Sequence, residues 1–367
     1  MPTFQYANPE TIHWGKGCLR DKLEGELKRT GARRVFLVTT KSGERDPALA
    51  PAVEALLGGR LVGRFAGIAE HAPARSVMEG VHAAAEARAD ALVSLGGGSP
   101  IDATKAVVFS LATGLDLTQP DAPARSRSMK IERALPHFAV PTTLSVAELA
   151  GSAGFTAEGT KEKVGVAAPQ LKPSAVFYDA ELAVRTPLSL WLTTGIRAVD
   201  HGVETLLAPG QHPLPDAAAL DGLRRLRRGL LAVKKNPTDL DARTECQLGA
   251  WHTYLLPGPA AKGLSHTLGK RLGSRHDIPH GVTSCLLLPH VVRYLAPRAA
   301  ETMKRIAEAF EAPTAVEGIS RLIAELELPQ HLAAYRLSDA ELREAARPVA
   351  SAENSEDDLV AILRAAL

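Results

Sequence analysis

The chain has 367 residues, 45% of them hydrophobic and 23% charged, with 43 Lys and Arg against 41 Asp and Glu and a net charge of +2. That length and composition suit a globular protein of two domains, each with its own core. The even charge balance excludes a strongly basic nucleic-acid binder, and no run of ~18 apolar residues is present to span a membrane. Three cysteines (Cys18, Cys246, Cys285) without metal-ligand spacing exclude a disulfide framework and a cysteine zinc site.

The opening run MPTFQYANPETIHW has neither the basic start nor the apolar centre of a secretory signal, so a cytoplasmic location is expected. Short apolar runs follow at 33–40, 59–67, 89–98, 136–143 and 174–179, each bounded by Gly, Pro or charge. Such runs read as buried parallel strands. Helical patterns lie between them at 18–31 and 74–89, the first stopping at Gly31. Strands alternating with helices imply βαβ units and a parallel sheet. From about residue 187 the texture turns helical, with patterns at 188–208, 220–235, 242–256 and 302–312 and several shorter helices to the end. The expected architecture is an α/β domain over 1–182 with a parallel sheet, followed by an all-α domain over 183–367. An active site is expected in the cleft between them.

The sharpest local signal is SLGGGSPIDATK at 94–105, an apolar strand running into three glycines and then a helix. Glycine lets a backbone approach a phosphate without a Cβ clash, and a helix N-terminus offers free N–H groups and partial positive charge. Pro100 suits the first helical turn. In the helical half, Arg197 and His201 are four residues apart in GIRAVDHGVE, so they share one helix face. His266 and Lys270 repeat that spacing in SHTLGK, and His280 opens HGVTSCLLLPH. Three histidines converging from separate helices can hold a divalent ion with open positions.

Taken together and in order, GGGSPIDATK, VPTTLSVAE (140–148), YDAELAVRTP (178–187), GIRAVDHGVE, SHTLG and IPHGVTSCLLLPHVV resemble the iron-containing (group III) alcohol dehydrogenase superfamily. The resemblance covers nearly the whole chain. It implies a Rossmann-like N-terminal domain with an all-helical C-terminal domain, the fold shared with dehydroquinate synthase. It implies an oxidoreductase using NAD or NADP, with Gly97, Gly98, Ser99, Asp102, Thr142, Thr143 and Lys163 around the cofactor. It also implies a homodimer. Metal-dependent members carry an Asp, a His and two later His as ligands. Here His201, His266 and His280 occupy the histidine positions, while Arg197 stands where the Asp is expected. A further active-site His is replaced by Lys270.

Arginine cannot be deprotonated to ligate a metal, and its charge opposes a divalent cation. It can instead bind a carboxylate or stabilise a developing alkoxide. No metal is therefore expected. The site suits a small carboxylate-bearing carbonyl or enoate substrate, as in the maleylacetate reductase branch, whose spacing between PTT and Glu matches Pro141–Glu148. The catalytic set expected is Arg197, His201, His266, Lys270 and His280. The alternative is a metal-dependent alcohol dehydrogenase holding Fe²⁺ or Zn²⁺ on His201, His266 and His280. A lyase on the related scaffold and a non-catalytic nucleotide binder are the remaining readings. Thr40 ends the early strand where NAD-selective members carry an acid, so NADPH is tolerated, and Lys41 reads either as a contact that helps it or as a solvated loop lysine. The basic cluster RRLRRG (224–229) lacks interleaved aromatics and reads as a solvated helix face.

Overall fold

The computed structural model describes residues 8–69, 72–158, 163–210, 212–255 and 263–367, with Lys163 described in its backbone alone. The described chain forms two compact units, Asn8–Thr186 and Pro187–Leu367.

The first unit runs β1 (Thr11–Trp14), α1 (Cys18–Thr30), β2 (Val35–Val38), α2 (Lys41–Arg45), α3 (Ala50–Leu57), β3 (Leu61–Phe65), α4 (Ala74–Glu86), β4 (Ala91–Gly96), α5 (Gly98–Thr113), α6 (Ala122–Ser126), β5 (His137–Pro141), β6 (Ser152–Thr156), β7 (Lys163–Ala167), β8 (Ala175–Tyr178) and α7 (Ala180–Ala183). Six strands make one parallel sheet in the order β1-β8-β5-β4-β2-β3, and β6 and β7 form a separate antiparallel pair. Every strand expected from the apolar runs is present. Because side chains alternate along a strand, the sheet feeds two cores. Val35, Leu37, Val93, Leu95, Phe138 and Val140 pack against α1 and α3. Phe36, Val38 and Leu92 pack against α4 and α5. Burial on both faces explains the unbroken apolar runs.

Strand β1 and the pair β6–β7 were not expected. β1 is a four-residue edge strand that is only half-buried, with Trp14 54% exposed, so it carries no apolar run. β6 and β7 each carry a glycine. At the end of β8, Asp179 caps α7 through the Glu181 N–H at 3.0 Å. It also accepts from Gly17 and Leu19 N–H, both at 3.0 Å, and so ties the start of α1 to the end of the last strand.

The second unit is helical: α8 (Leu188–Leu207), α9 (Pro213–Lys235), α10 (Leu240–His252), α11 (Leu264–His276), α12 (His280–Leu295), α13 (Ala300–Ala309), α14 (Ala315–Glu325), α15 (Asp339–Ala346) and α16 (Glu356–Ala365). Helix α9 begins a full two turns before the expected start, with Pro213 in its first turn, where a missing N–H is harmless. The basic cluster lies on α9, where Arg225 pairs with Asp221 and Glu245 at 2.7 Å each and Arg227 with Glu311 at 2.8 Å. Leu268 and Leu272 of α11 share a core with Leu286 and Leu287 of α12 and with Leu359 and Leu363 of α16. At the head of α12 a Cβ on Gly281 would lie 2.7 Å from the Thr193 carbonyl, so only glycine lets α12 approach α8 this closely.

Candidate functional site

The glycine turn joins β4 to α5. Gly96 sits at φ +135°, a conformation closed to side chains, and Gly97 precedes the first helical residue. A Cβ on Gly97 would lie 3.1 Å from Thr143 Cγ2, and one on Gly98 3.2 Å from Ser145 Oγ. The buried Oγ atoms of Thr143 and Ser145 have no hydrogen-bond partner among the described residues. A helix N-terminus, bare glycine backbone and two unsatisfied hydroxyls thus meet at one place. That donor set fits the pyrophosphate of a dinucleotide, which would accept from all of them. Ser99 is half-buried in the first turn of α5.

Asp102 lies one turn further on. It pairs with Lys105 Nζ at 2.7 Å through one oxygen and accepts from Gly154 N–H at 3.2 Å through the other. Thr142 donates its N–H to the Gly96 carbonyl at 2.9 Å, and its own carbonyl accepts from the Thr186 hydroxyl at 2.6 Å. Thr40 caps α2 by accepting from Gly43 N–H at 3.2 Å. Its neighbour Thr39 donates to the Leu95 carbonyl at 2.9 Å, which draws the end of β2 to the end of β4. Lys41 is exposed. Lys163 lies on β7 with its side chain outside the described residues.

In the helical unit Arg197 and His201 lie on α8, His266 and Lys270 on α11, and His280 at the first position of α12. Arg197 is 7% exposed. Its Nη1 donates to Asp200 Oδ2 and to Ser284 Oγ, each at 3.0 Å. Its Nη2 lies against the His266 ring, in contact with Nδ1 and 3.2 Å from Nε2. Ser265 and Ser284 also donate to Asp200 Oδ2, at 2.9 and 2.7 Å. His201 stands 5.7 Å from His266, ring to ring, and meets Tyr254 edge-on at 4.9 Å. Glu204 Oε1 accepts the His266 N–H at 2.8 Å. Burial pushes the carboxyls of Asp200 and Glu204 up, with the Arg197 charge pulling both back.

The structure therefore joins Arg197, His201 and His266, while Lys270 is exposed and His280 half-buried at its helix start. The sequence suggests Arg197 as a cation for a substrate carboxylate or a developing alkoxide. The structure makes it an internal cation, held by a carboxylate three residues along the same helix. The Arg197 guanidinium against His266 opposes a divalent ion at that place, since it carries a fixed positive charge and has no lone pair to ligate with. Sequence reasoning passed over Asp200, Glu204 and Ser145, and it quoted Lys105 as the close of the glycine motif without giving it a role. The i,i+3 spacing of Arg197 and Asp200 was the available signal. Ser145, Ser265 and Ser284 had none.

Two family patterns match the chain, iron-containing alcohol dehydrogenase over residues 9–180 and the C-terminal domain of the Fe-containing alcohol dehydrogenase family over residues 191–367. The maleylacetate reductase of Burkholderia cepacia is 30% identical over 331 residues, 90% of this chain and 86% of that protein. The crystal structure of maleylacetate reductase from Agrobacterium tumefaciens matches with 28% identity and a TM-score of 0.85, covering 100% of this chain and 99% of that one. An iron-containing alcohol dehydrogenase from Corynebacterium glutamicum matches with 26% identity and a TM-score of 0.86, covering 100% and 97%. With its parallel α/β sheet, its helical C-terminal half and matches along both, this chain belongs to the iron-containing alcohol dehydrogenase family and is an oxidoreductase.

Proposed function

We propose that the chain reduces a small keto or enoate acid with NADH or NADPH, as a maleylacetate-reductase-like enzyme that works without a metal ion. The observation that carries this reading is the Arg197 guanidinium, fixed by Asp200 and Ser284 and laid against His266 where a ligand set would need a cation. The likeness to maleylacetate reductases supports the substrate class.

A bound reduced nicotinamide would supply the hydride. Gly97, Gly98 and Ser99 would face the pyrophosphate with backbone N–H groups, helped by the Thr143 and Ser145 hydroxyls. Asp102, Thr142 and Lys163 would hold the rest of the cofactor. Thr40 places no acid at the adenosine ribose, so a 2′-phosphate meets no repulsion there and Lys41 can approach it. Arg197, sealed from water, keeps positive charge behind His266, where it lowers the cost of a developing oxyanion. Lys270 is exposed and four residues from His266, which suits it to meet a substrate carboxylate. His201, His266 or His280 would hand a proton to the oxyanion. On the family resemblance alone, a cytoplasmic homodimer belongs to the same proposal.

The test is reduction of an oxo-dicarboxylate by Arg197→Ala, with Arg197→Ala/Asp200→Asn beside it so that no lone carboxylate is left buried. Both should lose at least about tenfold in kcat/KM, roughly 1.4 kcal/mol. A smaller loss in the double variant sinks the role of Arg197. Recovery of activity in chelator-treated wild type only on adding Fe²⁺ or Zn²⁺ would overturn the metal-free reading.

A further inference from the structure

Among the described residues of the α/β unit, Lys105 has a fully buried side chain, at 0% exposure. Its ammonium is surrounded by oxygen. It pairs with Asp102 Oδ1 at 2.7 Å, donates to the carbonyls of Ala147 at 2.8 Å and Ala150 at 3.3 Å, and contacts that of Ser152. An ammonium has three protons to give, and all are engaged by one carboxylate and one short stretch of backbone. That stretch, residues 147–152, is otherwise held by the Tyr178 hydroxyl on Glu148 at 2.8 Å, by the Ala168 N–H on the Gly151 carbonyl at 2.9 Å and by the buried Leu149 side chain, none of which reaches α5 as Lys105 does. It is a single 3₁₀ turn, Ala147–Leu149, leading into β6.

The stretch is also strained. Val146, just before it, sits at φ +56°, a left-handed conformation that a β-branched side chain strongly disfavours. Such a residue persists only where its surroundings over-determine it. Here those surroundings are the burial of Val146 itself, the Tyr178 bond to Glu148 and the three carbonyls gathered on Lys105. The same segment brings Ser145 and Ala147 against Gly98, and Asp102 in turn accepts from Gly154 at the start of the β6–β7 pair. One cation thus binds three parts of the cradle: the second turn of α5, the strap over the glycines, and the hairpin beyond it.

We propose that Lys105 is a positioning residue, a tethered cation that holds the strap 144–152 and the Asp102 carboxylate in the geometry that receives the cofactor. Its contribution to binding acts through the strap and not by touching the ligand. This rests on the nicotinamide reading for its consequence, though not for the tether itself.

The experiment uses Lys105→Ala in the full chain, with two readouts. The first is hydrogen exchange at the Leu149, Ala150 and Gly154 amides, which needs no cofactor. The second is the dissociation constant for NADH from fluorescence titration. Both are repeated with ammonium chloride and, at equal ionic strength, tetramethylammonium chloride, which has no N–H to donate. The expected result is faster strap exchange and NADH binding weakened at least about tenfold, with both restored by ammonium and neither by tetramethylammonium. Strap exchange equal to wild type overturns the proposal. So does faster exchange with unchanged NADH affinity, or equal recovery in both salts. If wild type binds neither NADH nor NADPH while ammonium-sensitive exchange is seen, the cofactor reading fails and the tether stands. Should Lys105→Ala not fold, Lys105→Arg keeps the charge, and a planar guanidinium cannot satisfy the same carbonyls. It should show the same loosened strap, and wild-type exchange in it would overturn the proposal.

Discussion

Glu148 is a carboxyl sealed from water, with the Tyr178 hydroxyl donating to one oxygen at 2.8 Å. Burial raises it from 4.5 to about 7, with Lys105 and the Tyr178 bond only partly opposing. The sign follows from which state ionises first. At acid pH both folded and unfolded chains carry the proton and Glu148 costs nothing. As pH rises past the unfolded value, the unfolded chain ionises while the folded one resists, and stability falls until pH passes the folded value. The loss amounts to roughly 3 kcal/mol. Glu148→Gln has no proton to lose and keeps an oxygen for Tyr178. Its stability relative to wild type should therefore rise between about pH 5 and about pH 8 in urea unfolding. A difference that does not widen over that range would show that Glu148 is not held protonated. His137 shows the opposite case: burial, with the nearby Lys105 charge, lowers it to about 3, so it stays neutral beside the Ser94 hydroxyl at 2.7 Å.

At the scale of helices, glycine separates packing from propensity. Gly281→Ala would drive a Cβ into the Thr193 backbone and force α12 off α8, a cost of about 1–3 kcal/mol. Gly25 in α1 has nothing within 4 Å of an added Cβ, so Gly25→Ala should stabilise by about 0.5–1 kcal/mol. Opposite signs in denaturant unfolding confirm the contact, whereas two gains would mean that α12 has room. Elements of this kind differ in how far they can be read from residues. The central strands were legible because VFLV and ALVSLG are buried on both faces and so lack any alternation. Helix α1 was legible from its glycine stop, seen at φ +72° in Gly31. β1 was not, since TIHW gains its place only by pairing with β8, far along the chain. In the site, Arg197, His201 and His266 could be placed by helical spacing and family order. The carboxylate that restrains Arg197 is decided by Ser265 and Ser284, which reach Asp200 from two other helices, and no local pattern announces such a convergence.

For the molecule as a whole, cofactor binding should appear as stability. A ligand that binds only the folded state adds about 2.7 kcal/mol at a hundredfold excess over its dissociation constant. NADH or NADPH should therefore raise the melting temperature by several degrees and slow amide exchange around Gly97–Ile101. Failure of both cofactors to do so would remove the nicotinamide site. The larger of the two shifts reports which cofactor the Thr40–Lys41 turn prefers. The order of strands carries a different consequence. β1 begins at Thr11, yet its partner residue is Ala175, and the first turn of α1 waits on Asp179 for its N–H groups. On a ribosome adding about 5–20 residues per second, the start of the chain emerges on the order of ten to thirty seconds before the strand that receives it. For that interval the backbone groups of Thr11–Trp14 that β8 later pairs stay open to water or to a chaperone at the tunnel exit.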